Sequence, residues 1–152
     1  MYFWKINELK KDLVDGTVSE HETFKYLMAN TILYSVATIQ YGSANDWDSI
    51  GGVITCAITI LGLLFIYKCN NGANGKNILE RYNALGWVVF IRLLVLFFIP
   101  VIIISFTLQE IYFGGVPDET SLIDMLSIPV LEAGYVLMLA KHINDVAKKA
   151  HA

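Results

Sequence analysis

The sequence has few charged residues, little proline and almost no cysteine. Only 16% of its 152 residues are charged and 55% are hydrophobic, whereas a soluble domain carries about 25% charged and about 45–50% apolar residues. The net charge of −3 argues against a nucleic-acid binder, and two cysteines are too few for a disulfide scaffold. The three histidines have no partner at ligand spacing, so neither a metal nor a cofactor is predicted. The composition instead suits a lipid bilayer as the solvent.

Four long apolar segments dominate the chain, at 24–40, 50–67, 85–108 and 122–143. A membrane-spanning helix needs about 20 mainly apolar residues, and the last three segments reach that length. Asn30 and Gln40 interrupt the first segment, so we expect its neighbours to cover it. The sequence therefore predicts an all-α integral membrane protein in which residues 24–143 form a bundle of four transmembrane helices.

The basic residues predict the orientation of this bundle. Ten of the eleven lysines and arginines lie before the first segment or at its start, between the second and third, or around the C-terminal end, and none lies in 41–49 or 109–121. Basic residues are retained on the cytoplasmic side of a membrane. Both termini, including a tail at 144–152, are therefore predicted to be cytoplasmic, in the inner membrane of a bacterium.

Residues 1–23 show an amphipathic pattern rather than a signal peptide. The apolar positions share one helical face, Gly16 is suited to end the helix, and Ser19 with Glu22 is typical of a capping box at the start of the next. One interpretation is a helix lying on the inner membrane interface with Trp4 as an anchor; the other is a helix docked on a partner protein. The segment 68–76, rich in asparagine and glycine, is predicted to be a flexible linker.

Two ionisable residues lie inside the apolar segments, Arg92 in the third and Glu132 in the fourth. Counted from the inner ends of their segments, they differ in depth by about 6 Å, which an arginine side chain can span. Because an unpaired charge at the centre of a membrane helix costs about 2.5–3.5 kcal/mol, we expect the two to pair. The predicted intramembrane polar cluster at this depth consists of Arg92, Glu132, Asn30, Tyr34, Thr59 and Tyr135.

This polar cluster has three interpretations. It can lock the register of the helices, line a path for an ion or a small solute, or act as a proton-linked switch through the carboxyl of Glu132. Pro129 and Pro100 weaken the two helices near these residues, which favours a functional role.

Small residues recur at helical spacing along the second segment. Such a stripe lets helix backbones approach closely, either within the chain or between copies of it. The predicted helix-packing stripe consists of Gly51, Gly52, Thr55, Thr59 and Gly62.

The sequence contains no catalytic constellation, so we expect a protein that is not an enzyme. The first hypothesis is a small inner-membrane protein that forms an oligomeric, channel-like or membrane-perturbing unit, or serves as the membrane subunit of a larger system, with Arg92 and Glu132 as the lining element. The alternative is a membrane-embedded binding, immunity or accessory protein that blocks or anchors a partner. In both cases the expected partners are the lipid bilayer and either further copies of the chain or another membrane protein.

Overall fold

The structure, a computed structural model, describes residues 1–37, 45–114 and 121–150. Within these ranges the chain forms helices and turns and contains no β-strand. The helices are α1 (Ile6–Asp15), α2 (Glu20–Ala37), α3 (Asp46–Cys69), α4 (Ile78–Leu93), α5 (Ile99–Phe113) and α6 (Leu122–Lys149). A single 3₁₀ turn, Gly72–Asn74, links α3 to α4, and a π-helical turn, Leu94–Phe98, joins α4 to α5.

Three of these helical stretches are long and apolar enough to cross a membrane: Asp46–Cys69, Ile78–Ile111 and Met125–Lys149. They contain the second and third predicted segments and most of the fourth, so an all-helical integral membrane protein is the class of fold that the chain adopts. The first predicted segment begins in α2 and continues into 38–40, which lie outside the described residues. A fourth crossing therefore stays a prediction.

The spans alternate in direction, and α3 and α6 run parallel to each other. Gly51 of α3 faces Met125 of α6, and eleven residues later Gly62 faces Val136, so both helices advance together. By contrast, α4 begins beside the end of α3, where Arg81 bonds to Asn70, and runs in the opposite direction along α6, where Gly86 meets Tyr135.

A π-helical turn joins α4 and α5 into one long helix. Pro100 has no N–H, and its ring would collide with the carbonyl of the residue four positions earlier. A wider turn immediately before a proline accommodates that ring without ending the helix. The helix loosened at Pro100, as the sequence predicts, therefore stays continuous from Ile78 to Phe113.

The buried side chains gather at one end of the molecule, where α1 packs against α4 and α6. This core contains Ile6, Leu9, Leu13, Ala84, Leu85, Val88, Val89, Leu139, Ala140, Ile143 and Val146. The apolar side chains of α5 and of much of α3 are exposed instead. Exposure to lipid tails carries no hydrophobic penalty, so this distribution is the one expected of a chain with one end outside the bilayer.

The apolar face of α1 is used inside the chain, which differs from a helix laid with that face in lipid or docked on another protein. Leu9 is fully buried, and Ile6 and Leu13 are nearly so. The physical reason is that the start of α4 and the last turns of α6 present apolar side chains, and α1 covers them. The positive φ of Gly16, 66°, ends α1 as predicted, since glycine adopts this conformation without strain.

The residues before α1 are fixed by polar contacts. The backbone N–H of Tyr2 donates to the hydroxyl of the buried Tyr26 (2.7 Å), and the Tyr2 hydroxyl donates to Asp12 (2.6 Å). This second bond favours the protonated phenol and raises the pKa of Tyr2 to about 12. The segment is thereby tied to both α1 and α2.

The linker 68–76 is held in one conformation, which corrects the prediction of a flexible segment. Asn70 is buried, accepts a hydrogen bond from the buried Arg81 guanidinium (2.8 Å) and donates to the carbonyl of Lys76 (3.3 Å). A side chain at Gly75 would overlap the Asn70 carbonyl oxygen, 1.7 Å away. The asparagine and glycine residues therefore serve a tight, buried turn, because only small side chains fit this approach.

Candidate functional site

The side chains of Thr59 on α3 and Glu132 on α6 are joined in the middle of the membrane-crossing part. The Thr59 hydroxyl donates a hydrogen bond to Oε1 of Glu132. The other carboxyl oxygen, Oε2, is buried and receives no hydrogen bond from a described residue. Thr59 itself is exposed at the surface of the described bundle. The pair therefore places a half-satisfied carboxyl group between two helices, close to a face that is open.

Small residues of α3 bring α6 close enough for this contact. A Cβ built on Gly62 would lie 2.7 Å from Val136 Cγ2, and one built on Gly51 would lie 3.2 Å from Met125 Cγ. Thr55 occupies the same helical face between Gly51 and Thr59. Gly52 lies on another side, with nothing within 4 Å of its Cβ position. The predicted stripe thus packs inside the chain through Gly51, Thr59 and Gly62.

Arg92 does not reach Glu132; among the described residues no ion pair joins them. Its Nη2 donates to the backbone carbonyl of Trp4, and its guanidinium carbon lies 5.4 Å from the centre of the Trp4 ring. Helical side chains lean towards the N-terminus of their helix, so the guanidinium reaches back towards the end of the bundle where Trp4 lies. A carbonyl and an aromatic face replace the predicted carboxylate as its partners.

The depth of Arg92 along α4 does not determine the direction in which its side chain projects around the helix. Gly86 of α4 faces Tyr135 and Leu139 of α6, and Arg92 follows it by six residues, about 9 Å along the axis. Glu132 lies about 4.5 Å from Tyr135 in the same direction. Six residues also turn the helix by about 240°, so Arg92 projects about 120° away from the face that meets α6.

Tyr135 belongs to a second contact, between α6 and α4. Its hydroxyl would lie 2.6 Å from a Cβ at Gly86, so only glycine admits it there. The hydroxyls of Tyr135 and Tyr82 interact with each other, and Glu132 precedes Tyr135 by three residues, so the two are neighbours on the surface of α6. Glu132, Tyr135 and Tyr82 therefore form a polar series that leads from α3 across α6 to α4.

Asn30 lies apart from this series. Its Nδ2 donates to the carbonyl of Asn83 at 3.0 Å, which attaches α2 to the beginning of α4. The side chain of Tyr34 is outside the described residues. Of the six predicted cluster residues, the structure thus joins Thr59 with Glu132, places Tyr135 beside them, and directs Arg92 and Asn30 elsewhere.

Sequence reasoning missed Trp4, Tyr82, Gly86 and Asn83 as members of the polar contacts. The sequence predicts Trp4 as an interfacial anchor, and only the packing of the helices shows that it contacts Arg92 and that Tyr82 contacts Tyr135. Gly86 carried one signal, since a glycine inside an apolar helix often marks a close approach. In the described part of the chain no group of three or more histidine, cysteine or acidic side chains is arranged to hold a metal ion.

Comparison with known proteins gives no relationship: the chain matches no protein family, no curated protein and no solved structure. The function is therefore argued from the contacts above.

Proposed function

We propose that the chain is a non-enzymatic membrane subunit that associates with further copies of itself into a channel-like unit, with Glu132 lining the path. The observation that carries this proposal is the carboxyl of Glu132, which has one oxygen bound by Thr59 and one buried without a donor among the described residues. An ionised carboxylate in such surroundings is costly. A bound proton or monovalent cation removes that cost, so the site suits a passing positive charge.

The position of the site supports a path rather than a simple lock. A lock would bury both partners, yet Thr59 is exposed at the surface of the described bundle. Tyr135 and Tyr82 continue the polar series on the other side of Glu132. Hydroxyl and carboxyl groups in succession are the side chains that line proton and cation pathways through membranes.

The exposed apolar surface of α5 supports association with other helices. None of α1, α2, α3 or α6 packs substantially on α5 within the described residues. Many of its large apolar side chains are exposed, at Ile99, Val101, Ile103, Ile104, Phe106 and Ile111. The same observation favours the second candidate, a membrane-embedded binding or accessory protein, in which α5 meets a different membrane protein.

The test is ion flux in liposomes that contain the purified full chain. We expect proton or potassium flux above that of protein-free liposomes, and we expect Glu132→Gln to lower it to the protein-free level because the bound charge is no longer compensated. Glu20→Gln makes the same chemical change at an exposed residue of α2 and should retain the flux. Flux that survives Glu132→Gln, or is absent from the unaltered chain, would contradict the channel and favour the accessory protein.

A further inference from the structure

A small pocket lies between α1 and the last turn of α6, away from the Glu132 site. Its volume is about 230 Å³, and its lining is formed by Asn7, Lys10, Lys11, Val14 and Lys149. Three lysines and one asparagine therefore line one concave space, in a chain whose net charge is −3. The charge of this pocket is opposite to that of the protein as a whole.

Two of the three acidic residues of α1 make other contacts. Glu8 pairs with Lys5 (3.0 Å), and Asp12 accepts the hydroxyl of Tyr2 (2.6 Å). The pocket residues occupy positions 7, 10, 11 and 14, which form one face of a helix. Both lysines of α1 therefore lie on the face that lines the pocket.

One ammonium group of the pocket is neutralised, and the other two are not. Lys10 Nζ lies 2.7 Å from Asp145 Oδ2 of α6, a contact that holds α1 against α6. Lys11 and Lys149 form no ion pair with a described residue, and both are exposed. Two free positive charges on opposite walls of a pocket attract an anion that can bridge them.

We propose that this pocket binds a phosphate-bearing anion through Lys11, Lys149 and the amide of Asn7. Lysine is a common ligand of phosphate as a compact point charge. The volume is below the range of about 300–1,000 Å³ that is typical of drug-sized ligands, and it suits a phosphate group with a small substituent. Asp145 and Lys149 follow the predicted span 122–143, so we place the pocket outside the hydrocarbon region. This position gives access both to soluble phosphate esters and to lipid headgroups.

The first experiment titrates the full chain, in a neutral detergent, with inorganic phosphate at constant ionic strength, with chloride as the reference anion. We expect saturable binding by calorimetry, and we expect Lys11→Gln with Lys149→Gln to raise Kd about tenfold or more, because this variant removes both unpaired positive charges from the pocket. The matched control is Lys68→Gln with Lys148→Gln, which removes the same charge from exposed residues that do not line the pocket.

A second arm separates the sources of the phosphate group. The chain is placed in nanodiscs of phosphatidylcholine with phosphatidylglycerol, and the retained lipids are counted by native mass spectrometry. Retention of phosphatidylglycerol that is lost in the pocket variant assigns a headgroup, while binding of free phosphate alone assigns a soluble ester. Lys11→Arg with Lys149→Arg keeps both positive charges, so this variant should retain the phosphate or lipid binding that the unaltered chain shows. No binding in both arms, or equal weakening by the pocket and control variants, would overturn the proposal.

Discussion

The glycines of α3 divide into two that contact α6 and one that does not. Gly62 lies against Val136, whose branched side chain has little freedom to move, and a Cβ at Gly62 would be 2.7 Å from it. Gly52 faces open space. A single methyl group at these two positions therefore has opposite consequences.

We expect Gly62→Ala to destabilise the protein by about 1–3 kcal/mol, because the methyl group overpacks the contact with α6. Gly52→Ala should be neutral or should stabilise the helix by up to about 1 kcal/mol, since alanine is the better helix former. The measurement is unfolding in detergent, followed by helicity against denaturant. Equal effects of the two substitutions would show that α3 and α6 do not pack through Gly62.

Glu132 and Arg92 contact different residues, which leads to a second prediction about single side chains. Thr59→Val and Glu132→Met, which each remove the hydrogen bond, should be coupled by about 0.6 kcal/mol, the average for hydrogen bonds between membrane helices. Arg92→Leu and Glu132→Gln should be additive within about 0.5 kcal/mol, because the two side chains share no partner. Double-mutant cycles of unfolding free energy measure both quantities. Strong coupling of Arg92 to Glu132 would contradict the contact of Arg92 with Trp4.

Among the helices, α1 is the element whose role the structure changes most. Its hydrophobic periodicity predicts an apolar face, and that face exists at Ile6, Leu9 and Leu13. Periodicity does not say which surface receives the face. The start of α4 and the last turns of α6 receive it. The pattern of α1 alone does not identify these two surfaces.

Leu9→Ala tests this role of α1. Leu9 has no exposed surface, so the substitution should cost about 2–5 kcal/mol through the cavity it leaves. Leu79→Ala is the matched control, because Leu79 is 74% exposed and should cost little. Thermal unfolding of the chain in detergent gives both values. A Leu9→Ala variant as stable as the control would indicate that α1 lies on the membrane and supports no core.

At the scale of the whole molecule, composition and segment length were enough to predict the class of fold. Three spans are predicted from runs of apolar residues, because a helix in lipid needs apolar side chains along most of its length. The contacts between spans are less evident from the sequence. The depth of Glu132 placed it near Thr59 and Tyr135, but the angle of Arg92 around α4 depended on packing against α6. The ordered turn at Asn70 depended on one buried arginine that no local pattern marks.

The orientation of the whole molecule is tested by reporters of compartment. A reporter fused after Ala150 should report the cytoplasm, and one inserted after Gly114, between α5 and α6, should report the opposite side. The distribution of lysine and arginine is the reason for this expectation. Activities that indicate the reverse sides would contradict the predicted topology, although not the contacts among the helices.

The parallel pairing of α3 and α6 has a consequence for the synthesis of the chain. Thr59 and Glu132 are 73 residues apart, and two parallel helices in a membrane must be separated by a crossing in the other direction. A ribosome adds about 5–20 residues per second, so α3 stays in the bilayer for several seconds before its partner has been made. During that time α4 and α5 enter, while the groove at Gly62 faces lipid. The last helix to emerge is the one that completes the bundle.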